Sequence, residues 1–217
     1  MLIDIEDIKN IVLSKKIKLK GCLHIGAHEC EELNNYNNLG IKTDNILWIE
    51  ALHSKVNESK CRGISNVFNA LITDKDDIEC VFNVANNSKS SSILEFGIHS
   101  GIYPEIIFTD KIIKKSITID TFFSKNNLDS SKYDFWNIDI QGAELLALKG
   151  GIKSIKHVKA LYVKVNSAEL YKDCALISEI DDFLAQYNFK RILTNMTPYK
   201  WGEALYILNL SSSLIIY

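Results

Sequence analysis

Apolar runs that alternate with helical stretches restrict the fold of this sequence more than any other feature. Short apolar runs, typical of buried strands, occur at residues 22–25, 45–49, 65–69, 135–140 and 158–165. Helical spacing predicts helices at residues 29–39, 51–61, 143–149 and 175–187, each of them after one of these strands. Strands that alternate with helices form a mostly parallel sheet with helices on both faces.

The C-terminal pattern differs, because the apolar runs at residues 189–193 and 204–208 leave no room for a helix between them, which predicts an antiparallel hairpin. Residues 78–84 and 116–120 alternate with period two and predict an additional hairpin. The expected fold is α/β and Rossmann-like: a seven-stranded, mostly parallel sheet with one antiparallel strand, helices on both faces, and a β-hairpin insertion. This is the layout of class I methyltransferases.

The length of the chain favours one domain, which we expect to span residues 1–217. Residues 1–20 are predicted to form an N-terminal helical extension, because Ile5, Ile8 and Val12 have helical spacing. The five cysteines are odd in number and no pair has CxxC spacing. This usage is typical of reduced thiols and predicts a cytoplasmic protein.

Charge and hydropathy exclude two classes of partner. The formal net charge of −2 argues against a broad surface for nucleic-acid phosphates. No apolar run approaches the roughly 18 residues that a membrane span needs, so we expect no membrane partner.

A loop with one glycine follows the first predicted strand, from His24 through Gly26 and Ala27 to His28. Ligands of doubly wound sheets bind beyond the carboxyl ends of the strands, and a glycine there permits close approach to the backbone. Because the loop lacks the GxGxxG pattern, it suits a ligand with less phosphate, such as S-adenosylmethionine (SAM). The alternative is an ordinary tight turn. We expect no zinc here, since His24 lies within a strand rather than on a helix with His28.

Glu50 ends the second predicted strand, about 20–25 residues after Gly26. A carboxylate at this position can accept hydrogen bonds from both hydroxyl groups of a ribose. Alternatively, it only stabilises the N-terminus of the following helix through the helix dipole.

The stretch from residue 133 to residue 151 carries the strongest pattern. Its apolar strand delivers Asp139 to the carboxyl edge of the sheet. Gln141 and Gly142 form a turn, and Glu144 lies in the first turn of the next helix. Two carboxylates near one strand end can hold a substrate hydroxyl or take its proton. Alternatively, Glu144 only caps the helix and Asp139 only anchors the turn.

The ordered motifs resemble those of the FkbM family of SAM-dependent methyltransferases over roughly residues 20–208. Three family patterns are present, and they read HIGA at residues 24–27, EA at 50–51, and NIDIQGAE at 137–144 followed by LKG at 148–150. Further matching segments are NAL at 69–71, SSSIL at 90–94, ITIDTF at 117–122, VN at 165–166 and WGEALY at 201–206.

The resemblance implies a SAM-dependent O-methyltransferase that acts on a sugar, a glycan or a glycosylated small molecule. It places the methionine part of SAM at the loop 24–28, the ribose at Glu50 and the adenine near residues 69–70. The turn at residues 90–92 would close over the cofactor, and Asp139 with Gln141 would line its boundary with the acceptor. The implied SAM-binding residues are His24, Gly26, Ala27, His28, Glu50, Ala51, Asn69, Ala70, Ser91, Ser92, Asp139 and Gln141.

The chain departs from the family pattern at several positions, of which Lys164 is the most consequential, since relatives tend to have Glu there. A lysine beside Asp139 can serve as a base if its pKa is lowered, as in RNA ribose methyltransferases, or it can abolish turnover. The simplest alternative is a solvated lysine at the rim of the site. The candidate catalytic residues are therefore Asp139, Glu144 and Lys164. The alternatives are an inactive methyltransferase-like binding domain and, with less support, an RNA ribose 2′-O-methyltransferase or a nucleotide-dependent oxidoreductase on the same sheet.

Overall fold

The computed structural model describes residues 1–209, so residues 210–217 of the expected domain lie outside the described residues. The strands are β1 (Cys22–Ile25), β2 (Ile46–Glu50), β3 (Val67–Asn69), β4 (Leu71–Ile72), β5 (Glu79–Ala85), β6 (Phe108–Ile117), β7 (Phe135–Ile138), β8 (Ala160–Asn166), β9 (Phe189–Met196) and β10 (Trp201–Leu208). The α-helices are α1 (Ile5–Ser14), α2 (Leu33–Asn38), α3 (His53–Cys61), α4 (His99–Ile102), α5 (Ile119–Lys125), α6 (Glu144–Lys149) and α7 (Ile177–Ala185). Single turns of 3₁₀ helix occupy Thr43–Asn45, Ser88–Ser90, Ser130–Lys132 and Ile155–His157.

The central sheet has the strand order β3-β2-β1-β7-β8-β10-β9, and its order reverses at β1, between β2 and β7. Strand β10 runs antiparallel to both of its neighbours, whereas the other pairs are parallel. This confirms the predicted seven-stranded class I methyltransferase fold. The antiparallel strand is not at the edge, because β10 inserts between β8 and β9.

The central strands are apolar because both faces of the sheet are covered. In β1, Leu23 and Ile25 pack into one hydrophobic cluster with Trp136, while Cys22 packs into a second cluster with Trp48. Strands buried on both faces read as continuous apolar runs, which is why they were recognisable in the sequence. The N-terminal helix α1 joins the second cluster through Ile8 and Val12, as the spacing of its apolar residues predicts.

A second sheet has the order β4-β6-β5, with β5 and β6 antiparallel. The predicted hairpin insertion is therefore present, but its second strand was placed wrongly. Strand β6 ends at Ile117, and a helix, α5, begins at Ile119 after Thr118 caps its N-terminus. The short apolar alternation at 116–120 spans this strand-to-helix junction, and most of β6 is too polar and exposed to show a strand pattern.

The helix predicted at residues 29–39 is shorter, because α2 begins only at Leu33. His28 and Cys30 have positive φ angles of 44° and 58°, which no helix accommodates. The Glu31 side chain accepts a hydrogen bond from the Glu29 N–H, which stabilises a turn there instead. No helix within residues 1–209 is long and apolar enough to cross a membrane.

Candidate active site

The carboxyl ends of β1, β2, β7 and β8 border a cavity of about 460 Å³ at the edge of the sheet where the strand order reverses. This volume lies in the range of about 300–1,000 Å³ that is typical of small-molecule sites. The predicted site residues that line it are His24, Gly26, Ala27, His28, Glu50, Ala51, Ala70, Ser91, Asp139, Gln141 and Lys164. Asn69, Ser92 and Glu144 do not belong to the lining.

Gly26 follows β1 and lies between the end of β2 and the loop that follows β7. Its N–H donates to the Ile49 carbonyl at 2.9 Å, and its φ angle is +87°. A Cβ atom at this position would overlap the carbonyl oxygen of Asp139. The glycine is therefore required for the two loops to approach each other, whether or not a ligand is bound.

Glu50 presents a buried carboxylate to the cavity. One oxygen accepts a hydrogen bond from the His28 N–H at 2.8 Å, and the other accepts from the Leu52 N–H at 2.7 Å. Burial raises the pKa of Glu50 above its ordinary value, and these backbone hydrogen bonds oppose the shift. Since a carboxylate has about four acceptor positions, Glu50 can still accept bonds from a ligand.

His24 is buried beside Tyr36, whose hydroxyl lies 2.9 Å from Nδ1 of the imidazole. The Asn137 amide donates to the same hydroxyl at 2.6 Å, so the Tyr36 hydrogen is free to bond to His24 Nδ1. This arrangement favours a neutral ring that carries its proton on Nε2. Burial lowers the pKa of His24, which has the same consequence.

His28 links the glycine loop to the turn at residues 88–92. Its Nε2 lies 2.8 Å from the Ser88 hydroxyl, and Nδ1 lies 3.1 Å from Glu31. Lys89 extends the link through an ion pair of 2.8 Å with Glu31. Ligand atoms of His28, Glu29 and Glu31 lie within 4.8 Å of one another, but Lys55 and Lys89 pair with the two carboxylates. We therefore assign no metal to this group.

Ser91 and Ser92 hold the turn in place through their hydroxyl groups. Ser91 accepts a bond from the Ala85 N–H at 3.0 Å, and Ser92 donates to the Gln141 carbonyl at 2.8 Å. Ser92 is fully buried. Ser92 thus fixes the distance between this turn and the loop after β7.

Asn69 supports the site from outside the cavity. Its amide donates to the carbonyl oxygens of Glu50 and Ala51, both at 2.9 Å. The neighbouring part of the cavity is apolar, with contributions from Ala51, Ala70, Leu71 and Phe82.

Asp139 follows β7 directly and has two partners. Its Oδ1 accepts a hydrogen bond from the Gln141 amide at 2.9 Å and lies 3.5 Å from Nζ of Lys164. The Lys164 side chain is only 8 % exposed, and its ammonium group lies 4.2 Å from the ring centroid of Trp201. Lys164, which departs from the expected sequence pattern, is therefore held by the carboxylate of Asp139 and the aromatic ring of Trp201.

Glu144 lies below the same loop and faces its backbone. Its carboxylate accepts hydrogen bonds from the N–H groups of Ile140 and Gly142 at 3.0–3.1 Å. Burial and the charge of Asp139 raise the pKa of Glu144 to about 7. This position favours the alternative interpretation of Glu144, as the residue that shapes the turn.

Several lining residues were not predicted from the sequence. His99 and Tyr103 reach the cavity from α4 and its end, and Glu203 reaches it from β10. Glu203 contacts the Tyr162 hydroxyl and the Leu2 N–H, and burial raises its pKa to about 7. Glu203 and Trp201 lie in a segment that the family resemblance included, but His99 and Tyr103 have no sequence signal, because α4 is a short helix within a long connection.

Some solved structures resemble the chain at low identity. A protein of the NADB-Rossmann superfamily from Streptococcus agalactiae has 12% identity and a TM-score of 0.49, covering 94% of this chain and 67% of its own. The SAM-bound magnesium protoporphyrin IX methyltransferase from Synechocystis PCC 6803 has 8% identity and a TM-score of 0.45, with coverages of 94% and 78%. A SAM-dependent methyltransferase from Aquifex aeolicus has 12% identity and a TM-score of 0.44, with coverages of 95% and 100%.

Comparison by sequence gives a single family. No curated protein matches the chain, but the family model of the methyltransferase FkbM domain matches residues 22–191. The matched range is most of the 217 residues and includes the glycine loop, Glu50, Asp139 and Lys164. The chain therefore belongs to the FkbM methyltransferase family and is a SAM-dependent methyltransferase.

Proposed function

We propose that this methyltransferase transfers the methyl group of SAM to a hydroxyl group of a sugar, a glycan or a glycosylated small molecule. The observation that carries the proposal is one cavity lined by two distinct sets of residues. Glu50 and Gly26 offer a buried acid and a close backbone approach, which suit an adenosyl ligand. Lys164 and Trp201, beside Asp139, offer polar groups next to an aromatic ring, which suit a hydroxylated ring.

The first set fits SAM on chemical grounds. Each oxygen of Glu50 accepts one backbone N–H, so the carboxylate has acceptor positions left for the two ribose hydroxyl groups. The apolar lining from Ala51, Ala70 and Phe82 suits the adenine ring. The loop from His24 to His28 is then left for the methionine part.

The remaining predicted SAM residues act indirectly in this proposal. Asn69 fixes the backbone after Glu50, and Ser92 fixes the turn that carries Ser91 and Ser90. Gln141 orients Asp139 through the hydrogen bond to its carboxylate. In this proposal, these residues hold in place the groups that contact the cofactor.

Bound SAM supplies a methyl group on a positively charged sulfur, which a hydroxyl oxygen can attack. The protein has to hold that oxygen in line with the methyl group, because positioning accounts for a large share of such rate enhancements. Asp139 accepts a hydrogen bond from a neighbouring hydroxyl group of the acceptor, and Lys164 fixes the Asp139 carboxylate by the ion pair of 3.5 Å. The ring of Trp201 lies beside them and provides a face for the sugar.

The proposed compartment is the cytoplasm, and the proposed unit is one methyltransferase domain. All five cysteines are free thiols, three of them buried. A reducing compartment preserves thiols in this state.

The test combines binding with transfer. We expect calorimetry to detect binding of S-adenosylhomocysteine (SAH). We also expect radiolabelled SAM to methylate members of a panel of methyl glycosides of glucose, mannose, galactose, rhamnose and fucose. Binding of SAH without transfer to any glycoside would contradict a sugar acceptor, whereas absence of SAH binding would contradict the cofactor site itself.

A further inference from the structure

His99 is a buried imidazole that the predicted site does not include. It lies at the start of α4, within the connection between β5 and β6, and it lines the same cavity as Asp139 and Lys164. The residue is only 4% exposed. The small part of His99 that is accessible borders the cavity.

Hydrogen bonds fix the backbone around His99 to the loop that follows β8. The His99 N–H donates to the Leu170 carbonyl at 3.1 Å, and the Gly97 N–H donates to the same carbonyl at 2.8 Å. A Cβ on Gly97 would overlap the Glu169 carbonyl, so the two segments are in close contact. The connection is thus held against the loop that follows β8, and β8 is the strand that carries Lys164.

Aromatic packing fixes the ring of His99. It stacks on Phe96 with a centroid distance of 4.2 Å and an interplanar angle of 6°. Tyr103 and Tyr171 flank it at 5.1 Å and 5.5 Å. A side chain packed in this way has one orientation towards any ligand in the cavity.

Neither ring nitrogen of His99 has a hydrogen-bond partner among residues 1–209, and Nδ1 is fully buried. Buried polar atoms are normally paired, because a hydrogen bond left unmade in the interior is unfavourable. Asp139, in contrast, is already engaged by Gln141 and Lys164. The ring of His99 therefore has an acceptor position open, as does the second oxygen of Asp139.

We propose that His99 is the base that accepts the proton of the acceptor hydroxyl during methyl transfer; this rests on the function proposed above. The acceptor oxygen forms a bond to the methyl carbon as the carbon–sulfur bond breaks, and the sulfur keeps that electron pair. The hydroxyl proton moves to Nε2 of His99, because Nδ1 is fully buried. The resulting imidazolium returns its proton to solvent after the products leave.

The charges around His99 suit this role. Burial and the positive charge of Lys164 lower the pKa of His99 below its ordinary value, while Glu105 opposes the shift. Burial raises the pKa of the neighbouring Tyr171, so this phenol is neutral and leaves the balance unchanged. The ring is therefore neutral and able to accept a proton at pH 7.

The first experiment measures transfer from radiolabelled SAM to the glycoside panel by wild type, His99→Gln and His99→Ala. A positioned base contributes about 10²–10⁴-fold, so we expect His99→Gln to lower kcat about 10²-fold or more with unchanged SAH affinity. Added imidazole should restore part of the activity of His99→Ala. His157→Gln is the matched control, because His157 lies before β8, at the opposite edge of the sheet from the cavity.

The pH profile separates a base from a packing residue. In wild type, kcat/KM should fall as pH decreases through the pKa of His99, since only the neutral ring accepts a proton. His99→Gln should lose this limb. Any limb that Glu144 or Glu203 contributes would be common to both proteins, so the difference between the two profiles isolates His99.

A second readout does not depend on turnover. Diethyl pyrocarbonate acylates neutral imidazoles, and peptide mass spectrometry locates the modified residues. We expect His99 to react, with a midpoint below the ordinary pKa of an imidazole, and to be protected by SAH together with an accepted glycoside. An unreactive His99 would overturn the proposal, because its ring would then be closed to the cavity.

The outcomes distinguish this proposal from the proposed function. Transfer by wild type with full activity and an unchanged pH profile in His99→Gln would remove His99 as the base and leave the methyltransferase function intact. Binding of SAH with no transfer to any glycoside would overturn the sugar acceptor and His99's role with it.

Discussion

The ammonium group of Lys164 lies 3.5 Å from the carboxylate of Asp139 and 4.2 Å from the ring centroid of Trp201. The three residues come from β8, the loop after β7, and β10. The family resemblance predicts an acid at residue 164, and the structure gives the lysine found there a partner in Asp139. The side chain of Lys164 is only 8% exposed, and its charge is stabilised by the carboxylate on one side and by the aromatic ring on the other.

The first prediction concerns the coupling between Lys164 and Asp139. Lys164→Met and Asp139→Asn should each destabilise the protein, and the double variant should be less destabilised than the sum of the two. Residues in contact typically show interaction energies of about 0.5–3 kcal/mol. Urea unfolding of the four proteins measures this term, and additive effects would show that the pair contributes nothing to the fold.

The second prediction concerns Glu50 and SAH. Glu50→Ala should weaken SAH binding about 10- to 100-fold, since hydrogen bonds to a charged group contribute about 1.5–3 kcal/mol. The control is Glu58→Ala on α3, whose exposed carboxylate pairs with Lys55. Calorimetry measures both affinities, and tight binding by Glu50→Ala would remove Glu50 from the cofactor site.

The pH dependence of SAH binding is a third prediction. Burial raises the pKa of Glu50, so its carboxylate becomes protonated at a higher pH than an exposed glutamate. The protonated form loses acceptor capacity. SAH affinity in wild type should therefore decrease as pH falls through this pKa, and the decrease should be absent in Glu50→Gln. An identical pH dependence in both proteins would contradict the assignment.

The fourth prediction concerns Gly26, with Gly40 as its control. Both have positive φ angles, +87° and +83°, but a Cβ on Gly40 would have no neighbour within 4 Å. Gly40→Ala should cost about 1 kcal/mol through backbone strain alone. Gly26→Ala should cost about 1–3 kcal/mol more, because its methyl group overlaps the Asp139 carbonyl. Thermal unfolding compares the two, and equal losses would show that the close approach is unimportant.

Glu144 provides the fifth prediction. Its pKa is raised to about 7 in the folded protein, so the folded state binds a proton that the unfolded state releases at lower pH. This contribution to stability is present below about pH 4.5 and is lost as pH rises to about 7. The stability of Glu144→Gln relative to wild type should therefore increase between pH 5 and pH 8. A constant difference across this range would contradict a raised pKa.

The sequence by itself determined the fold class and the edge of the sheet at which the candidate site lies. Its parallel strands are buried on both faces, so their apolar runs were visible without any tertiary information. Gly26, Glu50 and Asp139 each follow such a strand closely, and parallel strands place their carboxyl ends at one edge. That these three residues would share a cavity follows from this rule, and the structure confirms it.

The tertiary structure alone decided which side chains reach the cavity. Glu144 and Ser92 lie close in sequence to lining residues, yet hydrogen bonds turn them towards the backbone of the loop. His99 and Tyr103 lie in an irregular connection with no periodic pattern, and they reach the cavity only because backbone hydrogen bonds fix that connection beside β8. Periodicity reports which face of an element is buried, whereas the orientation of a loop depends on partners that are distant in the chain.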